Sequence, residues 1–470
     1  MNRVTHPATI SVALLLLSAC ATPDPVKTFA PVAHDVSARS GAETHWDTGS
    51  GEDAAVRDAV DELLASDLDA AGAVQIALLS NPSLQATYED LGVAQADLVQ
   101  AGLLKNPVFS ASVRFPSGDG GNNTEFGIVQ NFLDLLMLPA RTRIAETEFE
   151  KTRLRVTHAV LAFAARVRAA AYEFQAAQNR RSVLRQITDA ADAAQLLAQR
   201  MAQAGNATDL FLANQQAVYE QARVALARSE TDVRTAREKL NALMGLWGAR
   251  TTWHMAEKLP DIPVHGVALD HLESLAVANR LDLAASRKQV EAAAAALNVT
   301  EDFRWLGALD FGASTERDPD GTRVTGPNVS LELPIFDQHQ AGISKAESEL
   351  RRARRNYAAL AISIRSEVRA ARDRMTAARD LAEHYRDVVV PLQERLVALT
   401  QRQFNFMQTG AFDLLLAKQN EIRTFSDYVD AVRDYWLART DLELAVGGSL
   451  TAAAQLSRTG PAESGEDRRD

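Results

Sequence analysis

Two stretches of this 470-residue chain carry nearly the same text. Gln203–Gln215 reads QAGNATDLFLANQ, and far downstream Gln408–Gln419 reads QTGAFDLLLAKQ. Each has a glycine, a short spacer, Asp-Leu-x-Leu-Ala and a closing Gln, and each joins two long Ala-rich segments of helical periodicity. Upstream of each lies a region of strand-like alternation, at 107–132 and 306–334. A repeat of this length exceeds any solenoid period, so the chain reads as one unit written twice: helix, β-hairpin, long helix, tight turn, return helix. The first unit spans 54–250 and the second 266–449, with a non-periodic connector at 251–265.

The alternating regions constrain the fold further. Phe109, Ala111, Val113 and Phe115 fall on one face of their segment, and Ser110, Ser112 and Arg114 on the other, the two-residue period of a strand. Pro116–Asn123 supplies a turn and Glu125–Phe132 the return. The second copy runs Leu306–Ala313, turns through Asp318-Pro-Asp-Gly321, and returns over Val324–Leu333. There Val329, Leu331 and Leu333 alternate with Asn328, Ser330 and Glu332. A lone hairpin cannot bury an apolar face. Strands with one apolar and one polar face suit a barrel with lipid outside and water inside, yet four strands are too few to close one. The hairpins must join those of further copies or pack on a partner.

Behind each hairpin runs a long helical pattern, Arg141–Gln203 and Ala341–Phe406. At 1.5 Å per residue the first extends on the order of 95 Å. Leu184, Ile187, Ala191, Leu196 and Met201 mark a Leu/Ala stripe that lets helices approach closely, as in a coiled-coil seam. Gly205 and Gly410 are expected to end these helices as left-handed C-caps. Thr208-Asp209 and Asp413 are expected to cap the return helices, Asp209–Leu246 and Phe412–Val446. Ala54–Leu104 is also helical in pattern, with a new start at Pro82.

The N-terminus reads as a targeting segment. Arg3 precedes the apolar run Ile10–Leu17, too short to span a bilayer, and residues 1–19 have the form of a signal peptide. Leu17-Ser-Ala-Cys20 resembles the lipobox of bacterial lipoproteins, which implies cleavage before Cys20 and acylation of its thiol. Cys20 is the only cysteine, so the mature chain forms no internal disulfide. Residues 20–53 are read as a lipid-anchored linker and 450–470 as a disordered tail.

Chemistry is sparse. The nine histidines are dispersed without zinc-site spacing, the seven methionines do not cluster, and no P-loop or dinucleotide fingerprint occurs. No catalytic set, cofactor site or metal site is expected. A net charge of −11 without a basic face excludes a generic nucleic-acid binder.

With these residues in view, the chain resembles the outer-membrane efflux protein (TolC) family, in its lipoprotein branch, over about residues 60–450. The carriers are the turns at Gly205 and Gly410 and the run Gly326-Pro-Asn-Val-Ser-Leu-Glu-Leu-Pro-Ile-Phe336. The resemblance implies a mainly α fold with a small β membrane part: a homotrimer whose twelve strands close one outer-membrane barrel above a periplasmic coiled-coil tunnel. It implies no enzymatic activity. The partners implied are a periplasmic adaptor, an inner-membrane pump and outer-membrane lipid. By position, Gly205, Asn206, Thr208 and Asp209 of the first tip, and Thr409, Gly410, Phe412 and Asp413 of the second, would meet the adaptor and line the aperture. Phe336–Gly342 is similar to heavy-metal efflux members, whereas Asn131–Arg141 departs from the Gly-rich turn of many relatives. The exit duct of type I protein secretion shares the fold and is the alternative. A periplasmic adaptor would carry one helical hairpin between lipoyl-like β segments, which the doubled unit argues against.

Overall fold

The computed structural model describes residues 24–115, 117, 121–263 and 271–450. Cys20, the segment 1–19 and the tail from 451 lie outside the described residues. Helices dominate: α1 Pro25–Ser40, α2 Glu52–Ala65, α3 Ala70–Ser80, α4 Pro82–Gly102, α5 Leu133–Gln203, α6 Asp209–Met244, α7 Leu272–Asn279, α8 Leu281–Asp302, α9 Gln340–His384, α10 Val390–Asn405 and α11 Ala411–Val446. The strands are β1 Asp67–Leu68, β2 Val108–Arg114, β3 Asn123–Asn131, β4 His254–Met255, β5 Leu309–Arg317 and β6 Arg323–Leu331.

The chain divides into two compact units. A strand unit takes in Tyr88–Val156 and Asp282–Ala359, with Pro25–Pro31 of α1, over their described residues. A helical unit takes in Val32–Thr87, Thr157–Leu281 and Leu360–Leu450, over their described residues.

In the strand unit, β2, β3, β5 and β6 form one antiparallel sheet in that order. The two hairpins, far apart in sequence, meet along β3 and β5, from Thr124 opposite Arg317 to Asn131 opposite Asp310. The base of the first hairpin is tied to a helix end. Arg141 donates to the carbonyls of Ala101 and Leu103 at 2.9 and 2.7 Å, taking up acceptors freed where α4 stops. Helix α5 begins at Leu133, ahead of the expected Arg141, because Asn131 Oδ1 accepts the Asp134 N–H at 3.0 Å and starts the turn.

In the helical unit the two halves close in the same way. Helix α6 ends at Gly245, φ 72°, where a β-carbon would lie 2.8 Å from the Ser80 carbonyl oxygen. Ser80 Oγ and Asn81 Nδ2 donate to the last carbonyls of α6, including Met244 O at 2.7 Å and Leu243 O at 2.9 Å. Helix α11 ends at Gly447, φ 91°, against the carbonyl of Asn279, and Arg280 Nη1 donates to Ala445 O. The buried Arg280 also pairs with Glu367 at 2.9 Å. Between α9 and α10 lies a π turn, Tyr385–Val389, in which Val390 N–H donates to Tyr385 O. Pro391 follows and, having no N–H, donates nothing to the preceding turn.

One expectation is corrected here. The segment 20–53 is not an extended linker over its described part. It contains α1, with Val32 and Val36 fully buried, followed by buried Ala42 and Trp46. Phe29, Val32 and Val36 form a helical stripe that the surrounding Pro, Ser and Thr conceal. Beyond α1, Gln75 bonds both the N–H and the C=O of Glu43, and Gln85 takes the Asp47 N–H and donates to His45 O. Side-chain amides thus serve this segment as a strand partner would, so no side-chain period is needed. The connector is also ordered where described. Trp253 is buried against Phe174, donates to Asn241 Oδ1 at 2.7 Å and lies under the Arg237 guanidinium; β4 beside it pairs in parallel with β1.

Arg39, at the end of α1, joins the second closure. Its Nη1 donates to Asn279 O at 2.9 Å and Gly447 O at 2.7 Å, and its carbonyl accepts from Ser449. Arg39→Ala is expected to destabilise the helical unit by about 1–3 kcal/mol, because two carbonyls lose a charged donor. Thermal unfolding of the full chain checks this; an unchanged midpoint would contradict it.

Candidate functional site: the helical tips and the two-faced sheet

Each tip is a tight link between antiparallel helices, and both belong to the helical unit. In the first, Gly205 N–H donates to Ala202 O and Asn206 N–H to Met201 O, with Gly205 at φ 76°. This is a Schellman closure with glycine in the left-handed position. Thr208 Oγ1 then accepts the Phe211 N–H at 3.2 Å and caps α6. In the second, Met407 N–H donates to Phe404 O and Gln408 N–H to Gln403 O, and Met407 itself stands at φ 57°. Gly410 at φ −85° is the N-cap of α11.

The two closures therefore superimpose with Gly205 on Met407 and Thr208 on Gly410. Matching the sequences glycine to glycine hides this register. Gly410 is corrected from a left-handed C-cap to the N-cap of the following helix. Asp209 is corrected likewise: Thr208 is the cap, and Asp209 occupies the first helical position with its carboxylate exposed. Asp413 does cap, from the third helical position. Its Oδ2 accepts from Gly410 N at 3.1 Å and from Thr409 Oγ1 at 2.6 Å. Glycine has no side chain to return the bond, so only this half of a capping box exists. These two bonds, the Thr409 hydroxyl first, hold the Asp413 carboxyl below the ordinary aspartate range.

The tips meet through Phe211 and Phe412, whose rings pack edge to face at 4.8 Å. Thus Gly205, Asn206, Thr208 and Asp209 are brought beside Thr409, Gly410, Phe412 and Asp413. Sequence reasoning missed Phe211 and Met407. Phe211 lies inside the duplicated text and was legible as the aromatic without a counterpart at the matching place. Met407 carried no signal, since a non-glycine left-handed residue is not expected. It is 94% exposed. Cys20 lies outside the described residues.

In the strand unit the pairing fixes two chemically distinct faces. Phe109 opposes Ile128, Ala111 opposes Phe126, Ile128 opposes Ala313, and Phe311 opposes Val329. This apolar face is largely exposed. The other face is a polar web: Arg114 to Glu125 at 3.2 Å, Asn123 to Glu316 at 2.6 Å, and Asn131 to Asp310 at 2.8 Å.

The edges are open in one chain. Glu332 N–H donates to Ala308 O and Asp318 N–H to Thr322 O, so even-numbered residues of β6 face β5. The odd-numbered residues direct their backbone groups to the free edge, and Pro327 among them brings no donor. Among the described residues no group of three His, Cys, Asp or Glu side chains is placed to hold a metal ion, and no helix is long and apolar enough to cross a membrane.

Met407→Gly is expected to slow amide exchange in the second tip by roughly two- to fivefold, from about 0.5–1 kcal/mol of relieved backbone strain, and Gly205→Ala to speed it in the first. The Asp413 bonds strengthen the second tip above the unfolded aspartate range near pH 4, and that support is lost as pH falls through the lower folded value. Asp413→Asn should remove this acid dependence of exchange at Gly410; a pH profile like that of the parent would contradict the capping role.

The profile of the outer membrane efflux protein family matches residues 73–246 and again residues 272–448. A curated relative, the cobalt-zinc-cadmium resistance protein CzcC of Cupriavidus metallidurans, is 23% identical over 394 residues, covering 82% of this chain and 88% of that protein. Among solved structures, CusC superimposes with a TM-score of 0.66 at 13% identity, over 82% of this chain and 93% of the other. The Campylobacter jejuni CmeC outer membrane channel superimposes with 0.69 at 15% identity, over 86% and 90%. Structural likeness at such identity speaks to the fold alone. The profile, however, covers well over half of the chain in two successive passes, and the chain belongs to the outer membrane efflux protein family.

Proposed function

We propose that this member serves as the exit duct of a tripartite assembly that expels metal ions, with a periplasmic adaptor and an inner-membrane pump as partners. The observation that carries the reading is the four-stranded sheet with one apolar face, a polar web on the other and two unpaired edges. Three such sheets close a twelve-stranded barrel in which lipid meets Phe109, Phe126 and Val329 while water meets Arg114, Glu125 and Glu316. Cys20, acylated, adds a lipid anchor. The helical tips are the adaptor-docking and aperture region.

Metal cargo is favoured by the CzcC relative and by the tip carboxylates. Exposed Asp209 and Asp413, repeated around a threefold axis, form acidic rings that draw cations and hinder anions. The duct performs no chemistry; specificity resides in the pump.

A strain lacking this chain should become sensitive to cobalt, zinc and cadmium and keep its tolerance of dyes, detergents and antibiotics. Plasmid-borne parent should restore growth, and a variant with Asp209→Asn and Asp413→Asn should restore it less well. Selective sensitivity to drugs or detergents would overturn the metal assignment, and defective export of a protein would favour type I secretion.

A further inference from the structure

A cleft of about 440 Å³ opens in the helical unit between α9, α11 and α5, within the size range of small-molecule sites. Its α9 wall is one helical face, with Ser363, Glu367, Ala370 and Arg374 at three- and four-residue spacing. An arginine–carboxylate pair stands at each end. At the first, Arg280 projects from the turn between α7 and α8 and is nine-tenths buried. Its Nη1 donates to Glu367 Oε2 at 2.9 Å and to Ala445 O at 3.4 Å, and Ser363 Oγ donates to Glu367 Oε1 at 3.2 Å. At the second, Arg374 of α9 and Asp441 of α11 approach only to 3.8 Å, with both side chains more than half exposed. Helix α9 rises about 10 Å from Glu367 to Arg374, which sets the distance between the ends. Ala370, Ala371 and Ala445 line the space between them.

The two pairs hold equal numbers of opposite charges, yet they do not exchange partners equally. A buried guanidinium that loses a carboxylate is strongly disfavoured, so Arg280 has to keep an anion. The carboxylate of Glu367 comes from a half-exposed side chain at the rim, which can turn into water at little cost. Arg374 and Asp441 form a loose, solvated pair of the kind that contributes little, so Asp441 is displaced easily as well. An entering carboxylate therefore replaces a carboxylate at each arginine, and the guanidinium fork can take it through two parallel bonds. An entering cation would instead have to draw Glu367 away from Arg280 and leave a buried charge uncovered. The cleft thus selects anions, and its own two carboxylates show which anion fits the arginines.

We propose that this cleft is a binding site for a small dicarboxylate, with one end seated on Arg280, the other on Arg374, and an apolar spacer lying over Ala370 and Ala371. Ligand bound there bridges the α7–α8 turn and α9, and takes the place of Asp441 of α11 at the second arginine. The site uses neither the tips nor the sheet, and it stands whatever cargo the duct carries.

The test is calorimetric titration of the full chain in lipid nanodiscs with nonanedioate, whose carboxylates span about the length of the cleft. Succinate, which is too short, and nonanediamine, which has the length and the opposite charge, are titrated beside it, and empty nanodiscs give the blank. The proposal expects one nonanedioate per chain, with succinate and nonanediamine binding at least about tenfold more weakly. Arg374→Gln should weaken nonanedioate binding about tenfold, and Asp441→Asn, which removes the competitor for Arg374, should tighten it about two- to threefold. Arg395→Gln makes the same charge change on α10, outside the cleft, and should leave the affinity as it is. Absence of saturable binding by the folded parent overturns the proposal, and so does succinate or nonanediamine binding as tightly as nonanedioate. Equal losses in Arg374→Gln and Arg395→Gln would show attraction to overall charge and overturn it too. If Arg374→Gln does not fold, Asp441→Asn decides: unchanged or weaker binding contradicts the site.

Discussion

A β-strand edge placed in hydrocarbon would have no water to satisfy its backbone groups, and the described sheet has two open edges. The odd-numbered residues of β2 and β6 direct their N–H and C=O groups away from the chain, while β3 and β5 are paired on both sides. Each unsatisfied group in a bilayer costs several kcal/mol, so a membrane sheet of this kind exists only as part of a closed ring. The rest of the strand unit serves that requirement. The polar web ties the two hairpins together on one face of the sheet, and Arg141 fixes the approach of α4 and α5 at the base. In the proposed trimer, β6 of one copy meets β2 of the next, with Pro327 leaving one bond unmade.

The helical unit answers a different demand. Long helices leave free carbonyls at each end, and the duplicated design fills them twice with different chemistry. Ser80 and Asn81 serve one closure, Arg280 and Arg39 the other. The arginine from α1 makes this described part of the N-terminal segment a member of the second closure. At the tips the duplication is again unequal: glycine holds the left-handed position in one and Met407 in the other. The two aspartates that look alike in sequence therefore differ in role, Asp413 bonded at its helix start and Asp209 directed to solvent.

Much of this was legible in the sequence where the signal is local. Alternation from Phe109 to Phe115 gave the correct faces, and the duplicated Gly…Asp-Leu text located both tips. The unread parts depend on non-local or unusual contacts. Nothing near Gln130 predicts that its strand pairs with Phe311, because that contact is set by closing a long loop. The packed α1 was hidden because its stripe is only Phe29, Val32 and Val36 among polar residues. The tip register was misread because identical residue types, Gly205 and Gly410, adopt opposite signs of φ.

The account turns on the open edges being closed by other copies of the chain. The direct measurement is hydrogen exchange of the full chain in lipid nanodiscs, read at the amides of Phe109, Ala111 and Val113 on β2 and of Thr325, Val329 and Leu331 on β6. Closure predicts protection equal to that of Phe126 and Ala313 on the inner strands, in a particle of trimeric mass. Rapid exchange at both edges in a folded, lipid-embedded protein would contradict it.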